Sequence, residues 1–108
     1  VDGFAEKTID KNGLILDFRT CGDYKEPIPS SLMVGLTVDE LMYVLPEYGF
    51  DGVWARARLA MKTGIIQPIY FKHPVTWGDR VGYAIPPDNE TVILRAFIPK
   101  SSTEQKVA

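Results

Sequence analysis

The sequence predicts an α+β domain, and three observations carry that prediction. Near the start, two strand-like runs at 4–9 and 14–19 flank Asp10-Lys11-Asn12-Gly13, where Asn and Gly supply the positive φ that a tight hairpin needs. In the middle, Thr37 and Glu40 stand three residues apart ahead of an apolar run, the spacing of a capping box. Toward the end, 91–98 alternates Val92, Leu94, Ala96 and Ile98 with Ile93, Arg95 and Phe97, a period of two. The expected architecture is an N-terminal β-hairpin, two central helices over 38–46 and 52–63, and C-terminal antiparallel strands over 65–71, 80–85 and 91–98. One domain spans 1–98, and 99–108 lacks apolar periodicity and reads as a flexible tail.

The second strand is apolar through Leu14, Leu16 and Phe18 on one face and Ile15 on the other, which predicts a place inside a sheet and not at its edge. Gly22, Pro27 and Pro29 make 20–31 a surface loop, and 30–35 is either a short helical turn or an extended lead. Thr37 then caps the first helix, and Asp39 and Glu40 complement the positive end of its dipole. Leu41, Val44, Leu45 and Tyr48 recur at helical spacing. Pro46 disfavours helical geometry at Leu45 and clashes with the carbonyl four residues back, so the helix ends close to it.

Residues 51–64 have two readings. With period two, Val53, Ala55, Ala57, Leu59 and Met61 line one face of a strand. At 100° per residue, Val53, Trp54, Ala57, Ala60 and Met61 gather into one arc and leave Arg56, Arg58 and Lys62 outside it. Ala, Arg, Leu, Met and Lys lose little side-chain freedom in a helix, Asp51 is an acceptable N-cap, and Gly64 stands where a left-handed C-terminal residue belongs. These signals favour the helix, while a strand hairpinned through 62–64 stays open. Beyond it, Pro68 cannot donate to a ladder and places 65–71 at an edge or bulge. Trp77-Gly78-Asp79 marks a turn, and 80–85 and 91–98 form a second hairpin around Pro86–Glu90. Because the last strand is apolar on nearly both faces, it is predicted to be central.

The chain has 108 residues, 45% hydrophobic and 24% charged, enough for one ordinary core. No apolar run approaches the ~20 residues of a membrane span, and no short apolar segment follows an N-terminal basic patch, so a cytoplasmic protein with no membrane partner is expected. The chain starts at Val1, which leaves room for a removed leader. One cysteine forbids an internal disulfide and fits a reducing compartment. Asn89-Glu90-Thr91 matches a glycosylation sequon. The net charge of −2 argues against a protein that simply coats nucleic acid. Its distribution is uneven: nine acids against four bases in 1–50, and five acids against eight bases in 51–108. A basic half permits a local phosphate-binding face.

Catalytic signatures are missing. Cys21 and His73 are the one cysteine and one histidine, with no local motif to join them as nucleophile and base, and they read as a residue beside a turn and a loop residue before Pro74. No zinc-ligand set, calcium loop or phosphate-cradling glycine motif is present, so no enzyme activity, metal or cofactor is predicted. What stands out is Arg56, Arg58 and Lys62 on the second helix.

The spacing of Thr37, Leu41 and Leu45, then Val53, Ala57, Ala60, Gly64, Ile65 and Ile66, resembles the helix-turn-helix core of winged-helix DNA-binding domains over residues 37–66. The resemblance implies a duplex-DNA partner, with Arg56 toward base edges and Arg58 and Lys62 toward phosphates. It further implies that Lys72, His73 and Arg80 flank a wing-like loop carrying Trp77. The alternative, from another class, is a protein-interaction or self-assembly domain that presents its sheet and the aromatic segment 70–83 to another protein or an identical subunit.

Overall fold

The computed structural model describes residues 3–99 and is α+β. Its elements in chain order are β1 (Phe4–Asp10), β2 (Ile15–Cys21), α1 (Val38–Val44), α2 (Phe50–Thr63), β3 (Gln67–Lys72), β4 (Asp79–Ile85) and β5 (Thr91–Phe97). Short 3-10 turns occupy Ser30–Leu32 and Pro46–Tyr48. The five strands form one antiparallel sheet in the order β2-β1-β5-β4-β3. The tail expected over 99–108 lies, apart from Pro99, outside the described residues. Among the described residues no helix is long and apolar enough to cross a membrane.

Local chemistry explains most of these elements. In the first hairpin Gly13 takes φ 87°, and the Asp10 carboxylate accepts from the amides of Asn12 and Leu14 at 2.9 Å each. The capping box forms as predicted: the Glu40 amide donates to Thr37 Oγ1 at 3.2 Å, and the Thr37 amide donates to Glu40 Oε1 at 3.0 Å. Regular helix stops at Val44, two residues ahead of Pro46, which opens the next 3-10 turn. The ambiguous stretch is helical. α2 starts after Gly49 and ends on Gly64, both left-handed, and buries Phe50, Val53, Ala57, Ala60 and Met61.

α2 lies against β3, β4 and β5 and covers one face of the sheet. That inner face carries Ala5 and Ile9 of β1, Val92, Leu94 and Ala96 of β5, Ala84 of β4, and Ile69 and Phe71 of β3, all buried. Burying each large side chain contributes about 1.5–3 kcal/mol. Small residues let the strands and helix approach closely. At Gly82 an added Cβ would lie 1.8 Å from the Arg95 carbonyl oxygen.

Three strand placements compare with the sequence expectations. β5 is the middle strand and β3, with Pro68, is an edge, both as predicted. β2, however, is the other edge and not an interior strand. The cause is a bulge: the register shifts between Thr8 and Ile9, so Ile9 faces Ile15 while Thr8 faces Asp17, and Leu16 is the extra residue. An inserted residue inverts the alternation. Ile15 is therefore buried while Leu14 and Leu16 are exposed.

Candidate functional site

The basic residues singled out in the sequence do not share one surface. Arg56, Arg58, Lys62 and Lys72 are exposed. At 100° per residue, however, Arg56 and Arg58 project about 160° apart around the axis of α2. Arg56 turns toward β3, where Nη1 donates to Gln67 Oε1 at 3.4 Å beside a groove shared with Pro68 and Tyr70. Arg58 lies on the other flank, with its guanidinium 6.0 Å from the Trp54 ring, and Lys62 is on that side too. The outermost ridge between the flanks carries Ala55 and Leu59, both exposed. Lys72 is ion-paired with Asp79 at 2.9 Å, and Tyr70 donates to the same Asp79 oxygen at 3.0 Å. The Lys72 and Tyr70 hydrogen bonds hold Asp79 below the usual carboxylate range, and Asp79 in turn raises Lys72.

Arg80 is the clear departure. Expected beside a wing, it is only 3% exposed. Its Nε donates to Tyr24 Oη at 2.9 Å, its Nη2 donates to Thr76 Oγ1 at 3.2 Å, and its guanidinium lies 5.4 Å from the Tyr24 ring. Residue 80 falls on the inner face because its neighbour across the ladder is Phe71, itself buried. A guanidinium held this way has no open path to a phosphate.

Arg80 belongs to a polar group under the loop after β2, a loop expected on the surface. Tyr24 and Ile28 are buried there, as is most of the Glu26 side chain. Glu26 Oε1 lies 2.5 Å from His73 Nε2. His73, expected as an ordinary loop residue ahead of Pro74, is fully buried, its ring 0% exposed. Its Nδ1 accepts from the amides of Val75 and Thr76 at 3.1 and 3.4 Å, which assigns the ring proton to Nε2, facing Glu26. Lys7 of β1 completes the group, with its ammonium 4.9 Å from the Phe50 ring. Burial pushes its pKa down to about 8 against the partial support of Glu26, and burial likewise raises Tyr24 against the opposing pull of Arg80. Spacing gave no notice of this cluster because the contacts that join it, Glu26–His73 and Tyr24–Arg80, link residues 47 and 56 positions apart. The nearest available signals were a lysine inside the first strand and a histidine ahead of a proline.

Chemically, the cluster is closed. Both His73 nitrogens are occupied by protein groups, and the cavity between Lys7, Glu26, Phe18, Phe50 and Phe71 leaves about 20 Å³, space for one water-sized centre. It latches the loop to the β3–β4 connection by Glu26–His73 and to β4 by Tyr24–Arg80. No protein-family model, curated protein or solved structure matches this chain.

The opposite face of the sheet is the open one. Glu6, Arg19 and Arg95 hold its centre: Arg19 Nε donates to Glu6 Oε1 at 2.9 Å and Arg95 Nε donates to Oε2 at 2.7 Å. Burial alone would raise Glu6, but these two guanidinium hydrogen bonds outweigh it and lower its pKa. Around this clamp stand aromatic and aliphatic side chains. Phe4 and Phe97 lie 6.0 Å apart, and Arg95 sits 4.9 Å from the Phe4 ring. Tyr70 is 58% exposed and Tyr83 51%. Among the described residues neither helix packs on this face.

Proposed function

We propose that this chain is a protein-assembly domain whose contact surface is the outer face of its sheet. One observation carries the reading: Tyr70 and Tyr83 are about half exposed on a sheet face without a covering layer among the described residues, next to Phe4 and Phe97. Apolar and aromatic side chains grouped on one surface are a mark of a binding site. Tyrosine supplies large contact area at little conformational cost. Sedimentation velocity over a dilution series tests the reading. The wild-type chain associates as concentration rises, and Tyr70→Lys/Tyr83→Lys loses the association that depends on this face. A wild-type chain whose sedimentation is the same as that of this variant at every concentration contradicts it.

DNA contact through α2 is the second reading. It draws on the helical form of 50–63 and on the exposure of Arg56, Arg58 and Lys62. It ranks below assembly because those groups divide between two flanks and Arg80 is buried. If it holds, affinity for random duplex DNA falls steeply with added salt and drops further in Arg56→Ala/Arg58→Ala. Equal binding by the variant removes the helix as the contact.

A further inference from the structure

The two edges of the sheet differ in how far they are covered, and we infer that the open one, β3, pairs with β3 of a second copy of this chain. The inference extends the assembly reading to a separate surface and has its own test. At the β2 edge, Gly35 and Leu36 already hydrogen-bond to Ile15, and the Ser30–Leu32 turn lies against the strand. At the β3 edge the His73 amide donates to the Gly78 carbonyl at 2.9 Å, continuing the register that pairs Lys72 with Asp79. Bonded and non-bonded pairs alternate along an antiparallel ladder. Residues 67, 69 and 71 therefore bond inward to β4, while 68, 70 and 72 turn their backbone groups outward. Pro68, which lacks an N–H, falls in the outward set. Among the described residues no group outside β4 hydrogen-bonds to the backbone of Pro68, Tyr70 or Lys72. Lys72, the charge that would repel a like strand, is matched by Asp79.

The surroundings of β3 name the partner. With a twofold axis at Tyr70, each Tyr70 exchanges both of its outward backbone bonds with the other, and each Lys72 amide meets the Pro68 carbonyl of the other copy. The N–H that Pro68 lacks is then missed only at the ends of the ladder, where water reaches. Moving the axis to Ile69 would leave the Tyr70 carbonyls facing Pro68 without a donor at the centre, and moving it to Phe71 would set Pro68 against Pro74. The Tyr70 axis pairs the exposed Tyr70 with itself on the outer face and Ile69 with Phe71 on the inner one, aromatic and aromatic–aliphatic cross-strand pairs. It also carries the exposed Ile65 and Ile66 of one copy to the exposed Val75 of the other, apolar against apolar at both ends. On the inner side a groove of about 340 Å³ separates the Gly52–Arg56 flank of α2 from this edge. The axis turns the two flanks toward each other with the helices antiparallel, so that the acidic start of one, exposed Glu47 and Asp51, lies beside the basic half of the other that begins at Arg56. Five strands from each copy then form one continuous sheet.

A register-specific cross-link and hydrogen exchange test this. In a Cys21→Ser background, Pro68→Cys/Lys72→Cys, both at exposed positions, places cysteines opposite each other across the axis with Cα atoms about 5.5 Å apart, while the two in one copy are about 13 Å apart and cannot close. Oxidation at a concentration where the chain is paired yields a covalent species of twice the 12.1 kDa monomer mass. Lys72→Cys alone, whose cysteines stand out of register, yields little. In the wild-type chain the Tyr70 and Lys72 amides, open in dilute solution, exchange about tenfold or more slowly once the chain is paired. Contact through the outer face alone leaves these edge amides open. Absence of the double-cysteine cross-link, equal cross-linking by Lys72→Cys alone, or exchange at Tyr70 and Lys72 that ignores concentration overturns the β3 pairing. Because Tyr70 belongs to both surfaces, the outer face is then judged by Tyr83→Lys, which keeps every β3 residue. Weakened association in that variant with the cross-link intact separates the two surfaces the other way.

Discussion

The two faces of this sheet hold charge in opposite ways. On the inner face Lys7, Glu26, His73 and Arg80 are sealed under a loop and satisfied by one another and by backbone amides. On the outer face Glu6 is just as buried, yet it is clamped by the guanidinium groups of the partly exposed Arg19 and Arg95, and Tyr70 and Tyr83 on the same face reach solvent. Burial of a polar group is therefore a poor guide to function in this fold. The sealed cluster has little free space and both imidazole nitrogens engaged, which suits holding a loop. The clamped face has aromatic area and, among the described residues, no covering layer, which suits meeting another surface.

The largest effect expected from breaking the inner arrangement comes from His73→Ala. It strands the buried Glu26 carboxylate and two amides, and denaturant unfolding should show a loss of about 3–5 kcal/mol. Lys7→Met sharpens the comparison through pH. Above the ordinary lysine value of 10.5 the amine is neutral whether the chain is folded or not. As pH falls from there toward 8, the unfolded chain takes up a proton that the folded chain refuses, so Lys7 weakens folding increasingly below 10.5 and fully below about 8. Wild-type stability should thus rise relative to Lys7→Met by about 3 kcal/mol between pH 8 and 10.5, in unfolding curves measured side by side. No rise means that Lys7 is well solvated, and a fall means that Glu26 holds its ammonium charged in the folded chain. The smallest stability effect belongs to the outer face: Tyr70→Ser and Tyr83→Ser, each about half exposed, should cost about 1 kcal/mol each, Tyr70→Ser also losing its hydrogen bond to Asp79.

The fold was largely legible where local chemistry specifies it. Asn12-Gly13 marked the first hairpin, Thr37 and Glu40 marked the start of α1, Gly64 marked the end of α2, and the two-sided apolar character of β5 marked the middle of the sheet. Illegible parts trace to long-range events. A one-residue bulge opposite Thr8 inverted the pattern of β2 and disguised an edge as an interior strand. The loop carrying Tyr24 and Glu26 is rich in proline and glycine like any surface turn, and only the tertiary contacts with Arg80 and His73 pull it inward. Arg56 and Arg58 were correctly placed on a helix, but their spacing of two sends them to opposite flanks, so a single basic face was not available to them. The outer face was foreshadowed by the aromatic segment 70–83, although Tyr83 gains its place beside the Glu6 clamp only through the β4–β5 register that pairs it with Arg95.

Footprinting by hydroxyl radicals at low and high protein concentration tests the outer-face claim most directly, because Tyr43 on α1 is 88% exposed and away from the sheet and serves as an internal reference. Assembly through the outer face predicts that Tyr70 and Tyr83 react fully in dilute solution and become protected as concentration rises, while Tyr43 reacts equally at both. Unchanged reactivity of all three tyrosines, or protection of Tyr43 alone, contradicts it.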